Sequence, residues 1–265
     1  MSVITLLTDF GLQDGYVGVM KGVIWKIAPQ AQIADLTHEI PPQDVFEGAL
    51  TLARCVPFFP AGSVHIAVVD PGVGTSRRPI AARLGDQTFV GPDNGLVTLL
   101  LEKAERKGQE IQLIHLDQPR YWREQVSSTF HGRDVFAPAG AHLANGLPLS
   151  MLGTPIDNPV RLDIPEPERT PQGWRGQILH IDHFGNCSTN LGMEQLTRLR
   201  PAMIKIKERI INGVVKSFGE GQPGELVGLI DSDDRLAISM VNGSASHLLG
   251  AQVGDRVEVS SNLQR

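Results

Sequence analysis

Cysteine is nearly absent from this chain of 265 residues. Cys55 and Cys187 are the only two, too few and too far apart for a zinc cage or a disulfide framework. No apolar run approaches the ~18 residues of a membrane-spanning helix. The stretch from Met1 to Thr8 lacks the basic head and cleavage site of a secretory leader. A cytoplasmic protein in a reducing compartment, without a membrane partner, is therefore expected. Basic charge is also in deficit, with 24 Lys and Arg against 29 Asp and Glu and a net charge of −5. Broad contact with a nucleic-acid backbone needs a basic surface and is excluded, whereas a nucleoside-sized ligand is not. The eight histidines show neither H-E-x-x-H nor H-x-H spacing, so no protein-held catalytic metal is expected. Neither G-x-G-x-x-G nor a phosphate loop with its lysine follows the first apolar run. Internal repeats and low-complexity tracts are missing too.

What remains is 41% hydrophobic and 20% charged, the balance of a soluble globular protein long enough for two domains. The first half alternates strand and helix. Val3–Leu7 is a short apolar run of the kind buried on both faces. From Tyr16 to Ala28, Val17, Met20, Val23, Ile24 and Ile27 fall at helical spacing. Gln32–Leu36 returns as a strand, and Asp44 with Glu47 forms a capping-box pattern opening a helix to about Val56. A third strand, His65–Val69, leads to Asp70; strands at Ile80–Leu84 and Thr88–Val90 and a helix from Leu96 to Lys107 follow. Such alternation predicts an α/β domain over 1–160, a Rossmann-like, mostly parallel sheet flanked by helices. Pro165, Pro167 and Pro171 then mark a linker over 161–172. Over 173–265 short β runs at Gln177–Ile181, Met203–Ile206, Leu226–Ile230, Leu236–Met240 and Arg256–Val259 suggest a smaller barrel or sandwich.

Polar residues gather at the ends of these strands, each with a bland reading beside the functional one. Asp9, at the end of the first strand, is placed either to accept the hydroxyls of a ribose or to cap the next helix, as Asp14 also is. The third strand stops on Asp70 and breaks into Pro71-Gly72-Val73-Gly74, with Arg77 seven positions after the acid. That is either a site or an Asp–Arg pair pinning a turn. Gly91-Pro92-Asp93-Asn94-Gly95 reads as a turn with a helix entry. Thr129-Phe130-His131-Gly132-Arg133-Asp134 packs a histidine, an arginine and an acid together, with Asp134 read as a helix cap. Asp182-His183-Phe184-Gly185-Asn186 offers an acid, a stacking ring and an amide, or else a tight hairpin.

Taken in order, these stretches closely resemble one family over nearly the whole chain. It is the S-adenosylmethionine hydroxide adenosyltransferases, relatives of the enzymes that make 5′-fluoro- and 5′-chloro-5′-deoxyadenosine. The resemblance implies an N-terminal α/β domain, a C-terminal β-barrel-like domain, and a homotrimer holding S-adenosyl-L-methionine at the subunit interface. It maps an Asp-Arg-His catalytic triad onto Asp70, Arg77 and His131. Asp9 matches the ribose-holding acid, and Phe130 is counted with the substrate contacts. Asp182 and Ser232 match groups on the methionine part, and Phe184 and Asn186 those on adenine. The backbone at Asn242 matches a further adenine contact, although this chain reads Gly243-Ser244-Ala245 where the family pattern reads Gly-Asn-Ala. S-adenosyl-L-methionine is then substrate, no cofactor is needed, and the implied reaction is its hydrolysis to adenosine and L-methionine by attack of water at C5′. Halide transfer to the same carbon (5′-chloro-5′-deoxyadenosine synthesis) and non-catalytic binding are the rivals. Asp70 favours water, because a fixed carboxylate repels a halide and the halide-using relatives are not acidic there.

Overall fold

An apolar run buried on both faces makes Val3–Thr8 the first strand (β1) of the computed structural model, which describes residues 2–197, 199 and 202–261. The chain divides into two units, Met1–Leu162 and Asp163–Arg265. In the first, β1 is followed by α1 (Tyr16–Ile27), β2 (Gln32–Thr37), α2 (Val45–Cys55), β3 (Val64–Val68), β4 (Pro79–Leu84), β5 (Gln87–Pro92) and α3 (Thr98–Arg106). Then come β6 (Ile111–His115), α4 (Ala137–Ala144) and β7 (Thr154–Pro155). Asp44 caps α2 by accepting from Glu47 N at 2.9 Å. Gly15, not an acid, begins α1, which has no side-chain cap, so neither Asp9 nor Asp14 serves it.

These strands form one mixed sheet in the order β2-β1-β3-β5-β4-β6-β7. It is parallel through β2, β1, β3 and β5 and antiparallel through β4, β6 and β7. The change of direction has a local cause. Only Gly85 and Asp86 separate β4 from β5, too short for a crossover, and Gly85 supplies the positive φ of a tight hairpin. On one face α1 and α4 share a core with Ile4, Leu6, Ile66 and Val68. On the other, Gly48 lets α2 approach Leu7, Val69 and Leu96.

The Pro-rich stretch is not free chain. Val160 N donates to Asp93 Oδ1 at 2.8 Å and Leu162 N to Thr98 Oγ1 at 2.9 Å, within the first unit. In the second unit Glu168–Arg169 forms β8, which pairs with β9 (Gly173–Ile181). There follow β10 (Cys187–Gly192), α5 (Met193–Leu196), β11 (Met203–Ile206), β12 (Arg209–Asn212), β13 (Leu226–Ile230), β14 (Arg235–Met240), α6 (Ala245–Leu249) and β15 (Arg256–Ser260). The strands run antiparallel in the order β12-β11-β15-β9-β10-β14-β13 and curl into a nearly closed barrel-like sheet. Ile178, Leu191, Ile204, Leu236, Ile238 and Val257 fill its interior. The sequence reading does not find β10 because Ser188, Thr189 and Asn190 make it polar. Its polar groups are paired inside the fold: Thr189 Oγ1 donates to Leu236 O at 2.8 Å, and Asn190 Oδ1 accepts from Gln177 N at 2.8 Å.

His65 in β3 is fully buried between Thr5 Oγ1 (2.8 Å) and Gln87 Oε1 (3.0 Å). Burial lowers its pKa below the ordinary 6.5, against a smaller raising effect of Gln87. Below about pH 6.5 the unfolded chain therefore binds a proton that the folded chain refuses, and stability falls as the pH drops from there. The urea midpoint is expected to decrease between pH 7.5 and 5.5, and to decrease less in His65→Gln; equal slopes in the two proteins would contradict this.

Candidate active site

Parallel pairing decides where the first acids stand. Thr8 of β1 lies in register with Val68 of β3, so Asp9 and Asp70 leave neighbouring strands at the same carboxyl edge. Asp9 does not cap a helix. Its Oδ2 accepts from Gln43 N at 2.8 Å, while Oδ1 has no hydrogen-bond partner among the described residues. The loop carrying Asp9 rests on His38, whose carbonyl accepts from Gly11 N at 2.8 Å and whose Nδ1 lies 2.9 Å from Thr8 Oγ1.

The Asp70–Arg77 pair is nearly dry, with side-chain exposures of 5% and 7%. Arg77 Nε donates to Asp70 Oδ1 at 3.0 Å and Nη2 donates to Oδ2, a bidentate fork. The same Nη2 reaches His131 Nδ1 at 3.1 Å, and the guanidinium carbon stands 5.4 Å from the centre of the Phe136 ring. A guanidinium can only donate, so Nδ1 must present its lone pair and the neutral ring carries its proton on Nε2. Burial lowers the His131 pKa below 6.5 and the Arg77 cation lowers it further, against the opposing pull of Asp70 and Asp134. Arg77 Nη1 is buried and has no hydrogen-bond partner among the described residues. Arg78 faces elsewhere. It pairs with the buried Asp93 at 2.6 Å and donates to Asn158 O at 2.7 Å, which pins the end of the unit.

Asn94 and Gly74, both within stretches the sequence marks as turns, hold this arrangement. Asn94 Nδ2 donates to Val69 O at 2.8 Å, closing the strand end immediately before Asp70. Gly74 (φ +77°) presses against the Ser128 carbonyl, with which any Cβ would collide, so the turn carrying Arg77 meets the segment carrying His131. Asp134 is not a helix cap but fully buried, inside a π-helical turn over Gly132–Phe136. Such a widened turn leaves no trace in hydrophobic spacing, which is why the capping expectation failed.

A cavity of about 690 Å³ opens over these groups, lined by Asp9, Gln43, Asp70, Thr129, His131 and Arg133 among others. Phe10, Tyr16 and Phe130 form its aromatic wall, in mutual edge-to-face contact at centroid distances of 6.0, 5.8 and 5.3 Å. Arg133 lies over Phe130 at 5.0 Å. Among the described residues no three His, Cys, Asp or Glu side chains are grouped to hold a metal ion.

In the second unit, Asp182 nucleates the tight hairpin between β9 and β10. Its Oδ1 accepts from Phe184 N (2.9 Å) and Asn186 N (2.8 Å), and its Oδ2 from Asn186 Nδ2 (2.7 Å). Three of a carboxylate's roughly four acceptor positions are thus filled. Phe184 is 73% exposed. Gly185 O accepts from Ser246 N at 2.9 Å, which brings this hairpin against the segment following the exposed, left-handed Asn242. Ser232 is exposed in the β13–β14 turn, at the opposite end of β14 from Asn242. Asp182, Phe184, Asn186 and the Asn242 segment are therefore gathered, and the turn carrying Ser232 is tied to β10 by Asp231 Oδ2, which accepts from Ser188 Oγ two residues after Asn186.

Gly74→Ala is expected to destabilise the first unit by more than about 1 kcal/mol, since both the left-handed backbone and the Ser128 contact resist a side chain. Urea denaturation measures it, and Gly146→Ala (φ +87°, nothing within 4 Å of its Cβ) controls for the backbone strain alone. Equal losses in the two variants would show that the Ser128 contact contributes nothing.

Comparison with known proteins agrees along the whole chain. The SAM hydroxide adenosyltransferase N-terminal domain matches residues 4–153 and the corresponding C-terminal domain matches residues 176–258. An (R)-S-adenosyl-L-methionine hydrolase from Salinispora tropica is 41% identical over 97% of each chain. A fluorinase from Nocardia brasiliensis is more distant, 26% identical over 97% of this chain and 96% of its own. The crystal structure of an uncharacterized conserved protein from Thermotoga maritima superposes with a TM-score of 0.89 at 36% identity, covering 97% of this chain and 99% of that one. With both domain models matched in order, the chain belongs to the SAM hydroxide adenosyltransferase family.

Proposed function

We propose that this protein hydrolyses S-adenosyl-L-methionine to adenosine and L-methionine. The observation that carries the reading is the dry Asp70–Arg77–His131 constellation, whose acid and imidazole face the cavity. The reaction is an in-line substitution. A water oxygen bonds to C5′ while the C5′–S bond breaks, and its electron pair turns the sulfonium into the neutral thioether of methionine. No acid is required for that leaving group. The water is the weak partner and has to be oriented and relieved of a proton.

The tautomer of His131 divides the labour. Its Nδ1 lone pair is occupied by Arg77, so Nε2–H donates to the water, and the base within the triad is the Asp70 carboxylate. Positioning supplies much of the acceleration, and the base adds about 10²–10⁴-fold. Asp9, whose Oδ1 has no partner among the described residues, takes the ribose hydroxyls, and Phe130 packs on the nucleoside. Asp182 and Ser232 hold the methionine part, and Phe184, Asn186 and the Asn242 segment hold adenine. We further propose a cytoplasmic homotrimer with the substrate held at the subunit interface, and no cofactor. No helix among the described residues is long and apolar enough to cross a membrane. The exposed Phe184 and half-exposed Tyr16 are aromatic surfaces that such assembly would cover.

Halide transfer is the nearer rival, and the buried Asp70 charge beside the nucleophile position opposes it. Incubation with S-adenosyl-L-methionine in ¹⁸O-labelled water is expected to place label in the adenosine 5′-hydroxyl and to release methionine. Both sulfonium epimers are assayed, because the hydrolase relative's name specifies the R compound. Added chloride should leave the products unchanged; 5′-chloro-5′-deoxyadenosine in preference to adenosine would overturn the reading, and tight binding without turnover would favour a binding protein. Asp70→Asn is expected to lower kcat by about 10²-fold or more while substrate binding, measured by calorimetry, persists. Because the His131 pKa is lowered, kcat should stay level as pH falls through 6.5 and decline only below it, as protonation of Nδ1 breaks the Arg77 bond. A histidine-dependent limb at or above 6.5 would contradict the tautomer assignment.

A further inference from the structure

We propose that Asp134 is a positioning residue, holding the segment 123–131 so that Phe130 and His131 are presented to the cavity. Most of its side chains are exposed: Arg123, Glu124, Gln125, Val126, Ser128 and Thr129. Fully buried behind it, the Asp134 carboxylate receives four donors. Arg123 Nη1 (2.8 Å) and Arg133 Nε (2.7 Å) reach Oδ1, and Ser127 N (2.9 Å) and Arg133 Nη2 (2.8 Å) reach Oδ2. The Asp134 backbone closes the same loop at both ends, accepting from Arg123 N at 2.9 Å and donating to Phe130 O at 3.1 Å. Residues three apart share a face of an ordinary α-turn. The wider π-turn begun at Gly132 lets His131 serve the cavity while Asp134 turns into the interior.

The same carboxylate sets two further features of the cavity. Arg133 is clamped by it and lies over Phe130, so the aromatic wall inherits its placement. Asp134 also acts on His131 through space. The charged groups facing that imidazole are Arg77 and Asp70 from the turn after β3 and Asp134 with its partner Arg133 from the following segment. Arg77 lowers the imidazole's pKa, whereas Asp70 and Asp134 raise it. Burial pushes the pKa of Asp134 itself up, but the bonds from Arg133, Ser127 and Arg123 outweigh this and hold it lowered.

The test compares Asp134→Asn and Arg123→Gln with the unaltered protein. Arg123 touches the carboxylate from outside and does not line the cavity. Amide hydrogen exchange over 124–131 is expected to accelerate at least tenfold in both variants, with the remainder of the first unit unchanged. The His131 titration, followed by NMR, should move to lower pH in Asp134→Asn. On the hydrolytic reading, on which only this kinetic arm rests, Arg123→Gln should lower kcat/KM three- to tenfold with Tm unchanged, and Arg123→Lys should recover part of the loss. If Asp134→Asn does not fold, exchange and kinetics of Arg123→Gln decide. Unchanged exchange over 124–131 overturns the positioning role whatever the reaction proves to be, whereas absence of hydrolysis by the unaltered protein overturns only the reaction.

Discussion

One guanidinium sits at the centre of this structure. Arg77 engages both oxygens of Asp70 and, with the same nitrogen, the Nδ1 of His131. Arg77 and His131 lie 54 residues apart in the chain. Because arginine donates and never accepts, it dictates the state of everything it touches: the imidazole must be neutral with its remaining proton outward. Such a group is costly to strip of any one partner, since a buried charge is then left uncompensated. The arrangement therefore behaves as a unit, and its geometry depends on backbone placed elsewhere.

That placement is a property of the sheet. The parallel half brings β1 and β3 to the same edge in register, and Asn94 closes the end of β3 before Asp70 departs. The antiparallel half takes no part in the cavity. Only the β4–β5 hairpin is short; β5 reaches β6 through α3, which packs on β4 and β6, and β6 reaches β7 through the segment that carries His131 and α4.

Much of this was readable from residue order. Val3–Thr8, Tyr16–Ile27 and Val64–Val68 follow from apolar spacing, and Asp44 is the cap its neighbours imply. The seven-residue interval between Asp70 and Arg77 suggested a pair, and they are paired. What spacing alone left open was the purpose of His131, which only resemblance joined to them. Other features left no legible mark. The π-turn has no hydrophobic signature, so Asp134 looked like a cap. β10 is polar and buried because Asn190 and Thr189 find partners far away in sequence, and β12 is a short edge strand. Gln43 contributes through its main chain, to which side-chain identity is blind.

The contact between Gly74 and the Ser128 carbonyl limits how this site can diversify. Surface loops ordinarily vary by gaining and losing residues. Here an insertion in the turn after Asp70 carries the guanidinium away from the imidazole, and an insertion before Ser128 carries the imidazole away from the guanidinium. Length variation is closed to both segments at once. Descent can alter this cavity only by exchanging side chains on a backbone of constant length, so relatives with different nucleophiles would differ here in residue type rather than in loop size.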